Sequence, residues 1–413
     1  MSLTYIDLQN EVKRRATLDE SGTQFDTATK NMINLALIRI ANEACWTSLR
    51  RTGLITTTGD YETGTVDCTE DSSTWSGTTT EWLTTANASK DRRIAINDSD
   101  ASDPSRKLYT ISAIASDTSL TTLEPYDSTT DTDMSYKILG QEIYTLPIQT
   151  SRPAVLWHEA YDYPYMLSYM TEREFLGNNL DLSTSDIPTH YRMWGEDWII
   201  NQPKTAGVLR ISSSSTSDTG KEITVFGTVS GYPDYETITT NSSLGTTAVS
   251  GSKSFTTVER IVKGASTIGR ITVDADSANT TIAVLPVGDT TSGIMYKKIQ
   301  LWPPPDDTYY INVLYYKEPY RLVNDNDVHE LGQDFDECII MLAASKLQGQ
   351  QSKKEAKEFF AYYRDELKVL RRKNVDRLDW LPRLKSSNDR GSNSFTKNVS
   401  YKQIGPHFGP RVR

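Results

Sequence analysis

The chain has 413 residues and a formal net charge of −10, with 37% hydrophobic and 9% aromatic residues. That length exceeds one ordinary hydrophobic core and predicts two to four domains, while the acidic balance argues against a general nucleic-acid binder. Cys45, Cys68 and Cys338 lie far apart with no CxxC spacing, which supports neither a zinc site nor a disulfide framework, and no apolar run approaches the roughly 20 residues that cross a bilayer.

Residues 1–50 read as helical. Tyr5, Leu8 and Val12 repeat at helical spacing, a turn follows through Glu20, Ser21 and Gly22, and Asp26 or Thr27 can cap a second helix whose face is Ile33, Leu37, Ile40 and Ala44. The start of the chain is amphipathic and unlike a secretory leader, and the scattered cysteines suit production in a reducing cytoplasm. From Leu54 to about Leu139 the texture turns to Thr, Ser, Asp and Gly, with short apolar segments at 93–96, 108–111, 120–123 and 136–139. This spacing predicts a small antiparallel β-module, a barrel or a sandwich.

Residues 142–147 read as a strand that ends at Pro147, and 152–178, rich in Tyr, Trp and Met, as a stretch with short helices. Gly195-Glu196 is hairpin-turn chemistry, with residues 198–201 returning as a strand that stops at Pro203. A second β-module spans 205–301, with strands at 208–211, 223–226, 236–239, 256–262, 271–273 and 281–285 and turns at Asp218-Thr219-Gly220 and Gly231-Tyr232-Pro233. Its strand count fits an Ig-like sandwich inserted between strands that are neighbours in one sheet, since loop closure grows only slowly with loop length. Residues 309–316 are the strongest strand signal. Two helices close the folded region, one lined by Phe335, Ile339, Leu342 and Leu347, the other by Phe359, Tyr363, Leu367 and Leu370.

From Gln351 onward 16 Lys/Arg stand against 7 Asp/Glu, a net +9 that leaves −19 on the first 350 residues. Such asymmetry marks a basic tail meant for an acidic partner. The candidate partner-binding residues are Arg371, Arg372, Lys373, Arg377, Arg383, Lys385, Arg390, Lys397, Lys402, Arg411 and Arg413, with Tyr401 and Phe408 interleaved.

No catalytic, cofactor or metal site is expected. Asp218-Thr219-Gly220 matches the aspartic-protease triplet, but there is no second copy to share a proton, and a turn is the better reading. Asp325, Asp327, His329 and Glu330 lack the glycine of a calcium loop and read as acidic residues at the start of a helix. Asp98, Asp100 and Asp103, and Asp127, Asp131 and Asp133, read as solvated turns. His158, His190, His329 and His407 share no ligand spacing, and neither GxxxxGK nor GxSxG occurs.

Three pieces of this layout resemble the connector, or adaptor, proteins of the tailed-bacteriophage neck. They are the N-terminal helix pair with Asn34-Leu35-Ala36-Leu37; Pro188, Tyr191, Gly195-Glu196 and Pro203, later joined by residues 302–316; and Glu330-Leu331-Gly332 with Phe335 leading into two helices. The resemblance implies an α+β fold: a helical bundle core with a small antiparallel sheet, here with two inserted all-β modules that depart from the family pattern. The expected division is 1–54 with 142–204 and 302–383 as the core, 55–141 and 205–301 as the modules, and 384–413 as an extended basic tail. It further implies a non-enzymatic virion protein that forms a homo-oligomeric, usually twelve-fold ring at the neck between capsid and tail. Its partners would be the portal protein, reached by the C-terminal segment, and tail or tail-completion proteins, with genomic DNA passing through the channel without sequence-specific contacts. Two rival readings stand beside it. A baseplate or fibre subunit would gather exposed Trp75, Trp82 or Tyr232 in one carbohydrate-binding groove. A virion-associated hydrolase would bring Asp325 and Asp327 together in a pocket.

Overall fold

Thr4 starts the first helix: its hydroxyl accepts the Asp7 N–H while the Asp7 carboxylate accepts the Thr4 N–H, a capping box that satisfies two otherwise orphaned donors. The computed structural model describes residues 2–16, 25–83, 88–96, 108–160, 164–177, 185–275, 280–287, 295–349 and 352–375. Its α-helices are α1 (Tyr5–Arg15), α2 (Asp26–Glu43), α3 (Glu172–Gly177), α4 (Asp336–Gln348) and α5 (Lys353–Asn374). Among them α4 is buried along almost its whole length, so α1, α2 and α5 each lay an apolar stripe on it. Trp46 and Phe335, both essentially buried, meet edge to face at 4.9 Å within this cluster. Asn34 ties α2 to the segment before α4, donating to the Leu322 carbonyl at 3.0 Å and accepting the Leu322 N–H at 2.8 Å.

Two four-stranded sheets pack face to face beside the helices. In the first the strand order is Arg50–Thr56, Tyr310–Lys317, Thr150–His158, Tyr165–Met166; in the second it is Ser168–Tyr169, His190–Asp197, Tyr296–Trp302, Ile143–Thr145. Ile55, Leu156, Ile311, Val313 and Tyr315 of the first meet Tyr144, Tyr191, Ile299 and Leu301 of the second in a common core. The strand that precedes the second β-module, His190–Asp197, pairs antiparallel with the strand that follows it, Tyr296–Trp302.

The other two sheets curl. In the seven-stranded sheet the end strands Asp131–Met134 and Tyr136–Ile138 are separated by Ser135 alone, so the sheet bends round a core of Trp75, Trp82, Tyr109 and Tyr136. At its base Gly140 passes so close to residue 305 that a Cβ there would lie 1.8 Å from the Pro305 carbonyl oxygen. The six-stranded sheet turns on its long strand Val249–Lys263, which pairs with Gly207–Ser213 along its first half and with Glu222–Val229 along its second. Glu236 draws the edge strand Tyr232–Thr239 back onto that long strand by accepting the Ser252 and Lys253 N–H groups at 2.6 and 3.1 Å. Ser230 and Gly231, both at positive φ, form the tight turn between Glu222–Val229 and Tyr232–Thr239.

The expectation of a helical bundle core is overturned. Among the described residues 41% are in strands and 23% in helices, and the helical cluster is one of four hydrophobic cores. The second module is one six-stranded sheet rather than the two facing sheets of an Ig-like sandwich. Gly195-Glu196 makes no hairpin: His190–Asp197 runs straight through it with a bulge after Met193, and residues 198–201 form no strand. Residues 152–158, expected among short helices, lie in the nine-residue strand Thr150–His158. The cap of α2 is also different, because Phe25 holds the N-cap position without a side-chain hydrogen bond.

Candidate partner-binding surface

The basic C-terminal region grows out of α5, whose apolar positions Tyr363, Leu367 and Leu370 are buried against the helical core while most of its remaining surface is exposed. Two of the candidate partner-binding residues are engaged within the chain. Arg371 binds the Glu43 carboxylate of α2 at 2.6 Å, and Lys373 binds Asp334 at 2.8 Å; Lys373, with the Asn374 amide, holds the Asp334 carboxyl below the usual range. Arg372 is exposed and has no ion-pair partner among the described residues. Beyond α5, Val375 bridges Trp46 in antiparallel fashion and the Thr47 hydroxyl donates to the Asn374 carbonyl at 3.2 Å. A shallow cleft of about 360 Å³ beside this joint is lined by Thr47, Ser48, Gly332, Asp334 and Asn374. Arg377, Arg383, Lys385, Arg390, Lys397, Tyr401, Lys402, Phe408, Arg411 and Arg413 lie outside the described residues.

The acidic cluster before α4 is taken apart by local hydrogen bonds. The Asp327 carboxylate accepts the Val323 and Asn324 N–H groups at 2.8 and 2.7 Å, Glu330 binds Lys317 at 2.6 Å, and His329 meets Asp336 at 2.6 Å inside the protein. Asp325 faces solvent near Lys30. Among the described residues no three His, Cys, Asp or Glu side chains are grouped so as to hold a metal ion. Asp127 accepts the Tyr109 hydroxyl at 2.5 Å, and the backbone N–H of Asp133 donates to Asp67 at 2.8 Å. Asp98, Asp100, Asp103 and His407 lie outside the described residues.

Asp218 is fully buried, which sequence reasoning missed. Its carboxylate accepts the Ser213 hydroxyl at 2.6 Å and the Ile268 and Gly269 N–H groups at 2.7 Å each, binding two loops of the six-stranded sheet. Burial pushes this carboxyl up, but the hydroxyl and the two backbone donors outweigh it and hold the group below the usual carboxylate range. The nearest cue in the sequence was the Ser-rich run that ends at the residue before it. His158 is buried between Tyr165 and Tyr309, with Nδ1 accepting the Ala160 N–H and Nε2 facing the Pro188 carbonyl at 3.0 Å.

The aromatic groove of the fibre reading does not form. Trp75 and Trp82 are fully buried in the seven-stranded sheet, whereas Tyr232, 76% exposed, stands on the six-stranded one. No described helix is long and apolar enough to cross a membrane.

Residues 233–387 match the family described as SU10 adaptor protein. The match runs from within the six-stranded sheet through α4 and α5 and 13 residues past Asn374, the last of α5. It contains residues 302–316 and the Glu330-Leu331-Gly332 piece that carried the sequence resemblance. The N-terminal helix pair and Pro188 to Pro203 fall outside it, and most of the second β-module falls inside. No curated protein matches the chain. The match supports a bacteriophage adaptor protein, a structural component of the virion.

Proposed function

We propose that this chain is the subunit of a head-to-tail connector ring, an adaptor that joins the capsid portal to the tail and forms part of the DNA channel. The observation that carries this reading is the family match over residues 233–387. The chain then divides into a body of 1–54, 142–204 and 302–383, β-modules at 55–141 and 205–301, and a tail at 384–413 that docks on the portal. In a ring, usually twelve-fold in such proteins, the helical cluster and the paired sheets supply the large contacts that stable assemblies need. The first 350 residues carry a net −19, so a channel wall built from them repels DNA and lets the genome slide past, while the basic tail is attracted to acidic patches on the portal. Tail or tail-completion proteins bind the opposite face. The test is a chain truncated after Arg383: full-length protein is expected to be captured by portal-bearing heads, and the truncated chain is expected to lose capture. Equal capture of both would overturn portal docking by the tail.

A further inference from the structure

The strand register sorts the first four-stranded sheet into rows. Directly opposite residues of antiparallel neighbours share a face, so Leu54, Asn312, Trp157 and Met166 form one row across all four strands on the face away from the core. Toward α2 the next rows on that face are Thr52, Leu314, Val155 and then Arg50, Tyr316, Arg152; away from it stands Thr56 beside Tyr310. Leu54 is 55%, Met166 67% and Tyr310 62% exposed, with Trp157 and Val155 half-buried between them. Around Leu54, Met166 and Tyr310 the face is therefore open and apolar, while Leu314 and Tyr316 are buried toward a basic end where the Arg152 guanidinium lies over the Tyr316 ring at 5.6 Å. At that end a cleft of about 200 Å³ opens toward Asn42 of α2 and Ala44 just past its end.

A patch of opposite character lies at the other end of α2. Ile6 and Val328, 37% and 49% exposed, are brought together by the Thr4–Val328 bridge and by the Ile6 N–H donating to the Asp325 carbonyl. Their rim is acidic, with Asp325 60% exposed and Asp7 at the surface, and Lys30 of α2 near Asp325 at 3.7 Å. Lys30 and Asn42 are 12 positions apart on one helix, so the two patches are fixed about 18 Å apart along it at about 1.5 Å per residue. One rigid element thus holds them apart, and neither can cover the other within one chain.

We infer that these patches meet between copies. The face of Leu54, Trp157 and Met166 with Arg152 on one copy receives Ile6 and Val328 with Asp325 from the next. Two different complementary patches make a heterologous, head-to-tail contact, the kind that closes into a ring or runs on as a filament. Apolar contact supplies the affinity, and the Arg152–Asp325 attraction sets the order of subunits. The inference rests on the ring reading proposed above and names the surface through which the ring forms.

The test uses the full chain with Arg152→Glu and Asp325→Arg, both at exposed positions, and sedimentation velocity across a concentration series. Each variant alone opposes like charges and is expected to weaken self-association by about tenfold or more relative to wild type. Mixed in equal amounts, the two are expected to assemble again, because Glu at 152 then faces Arg at 325 and Arg152 faces Asp325 around an alternating assembly. Circular dichroism of each variant matching wild type separates this result from misfolding. Wild type that associates while both variants and their mixture associate equally well would overturn this contact but not the ring. Wild type that stays monomeric at every concentration would overturn the ring reading and the contact with it.

Discussion

The Asp218 carboxylate takes its hydrogen bonds from Ser213, Ile268 and Gly269 with no exposure to solvent, so alanine there leaves two backbone N–H groups without their acceptor. Asp218→Ala is expected to lower the unfolding free energy by about 2–4 kcal/mol in urea titrations. Because the folded carboxyl titrates below its ordinary value, its stabilising share is present above about pH 4 and is lost as pH falls through the folded value. The acid sensitivity of the variant should be correspondingly smaller. His158 follows the same linkage at higher pH. Burial lowers its pKa, the Pro188 carbonyl opposes that only in part, and the neutral ring serves the fold. Its contribution is complete above about pH 6.5 and is lost as pH falls below that toward the folded value. The urea midpoint of wild type should drop more between pH 7 and pH 5 than that of His158→Gln. A drop of the same size in both would show that the ring does not report on pH in this range. Neither role was legible from the sequence, since Asp-Thr-Gly and a lone His carry no local mark of burial.

At the scale of elements, the helical cluster depends on the Trp46–Phe335 contact, and the exposed ion pairs of α5 add little. Trp46→Ala is expected to cost about 3–5 kcal/mol, while Arg371→Ala, which removes an exposed pair with Glu43, should change stability by less than about 1 kcal/mol. Gly140→Ala forces a Cβ onto the Pro305 backbone and is expected to lower the thermal midpoint by several degrees, about 2 kcal/mol or more. A thermal scan indistinguishable from wild type would refute that close approach. The strands that sequence reasoning found, such as those at 93–96, 223–226, 271–273 and 281–285, are flanked by turn residues and rich in β-branched side chains, so their signal is local. Arg50–Thr56 and Thr150–His158 were missed because Arg, Gly and Pro interrupt them. They are strands by virtue of pairing with Tyr310–Lys317, far along the chain from both. Tertiary pairing thus overrode local propensity where the expected bundle became mainly sheet. The ion pairs that engage Arg371 and Lys373 were likewise invisible, because charge patterning names a basic region without naming the carboxylates that meet it.

For the whole molecule, four cores in one chain fit a part built for contact more than for chemistry: an acidic body through residue 350, a basic end, and a family match that joins the six-stranded sheet to the C-terminal helices. The central claim is a position, the neck of the particle. The measurement that tests it most directly is gold labelling of purified virions with antibody raised against this chain. The account predicts gold between capsid and tail on most particles. Gold at the distal end of the tail, or no gold on intact particles while the denatured virion proteins still bind no antibody, would contradict it.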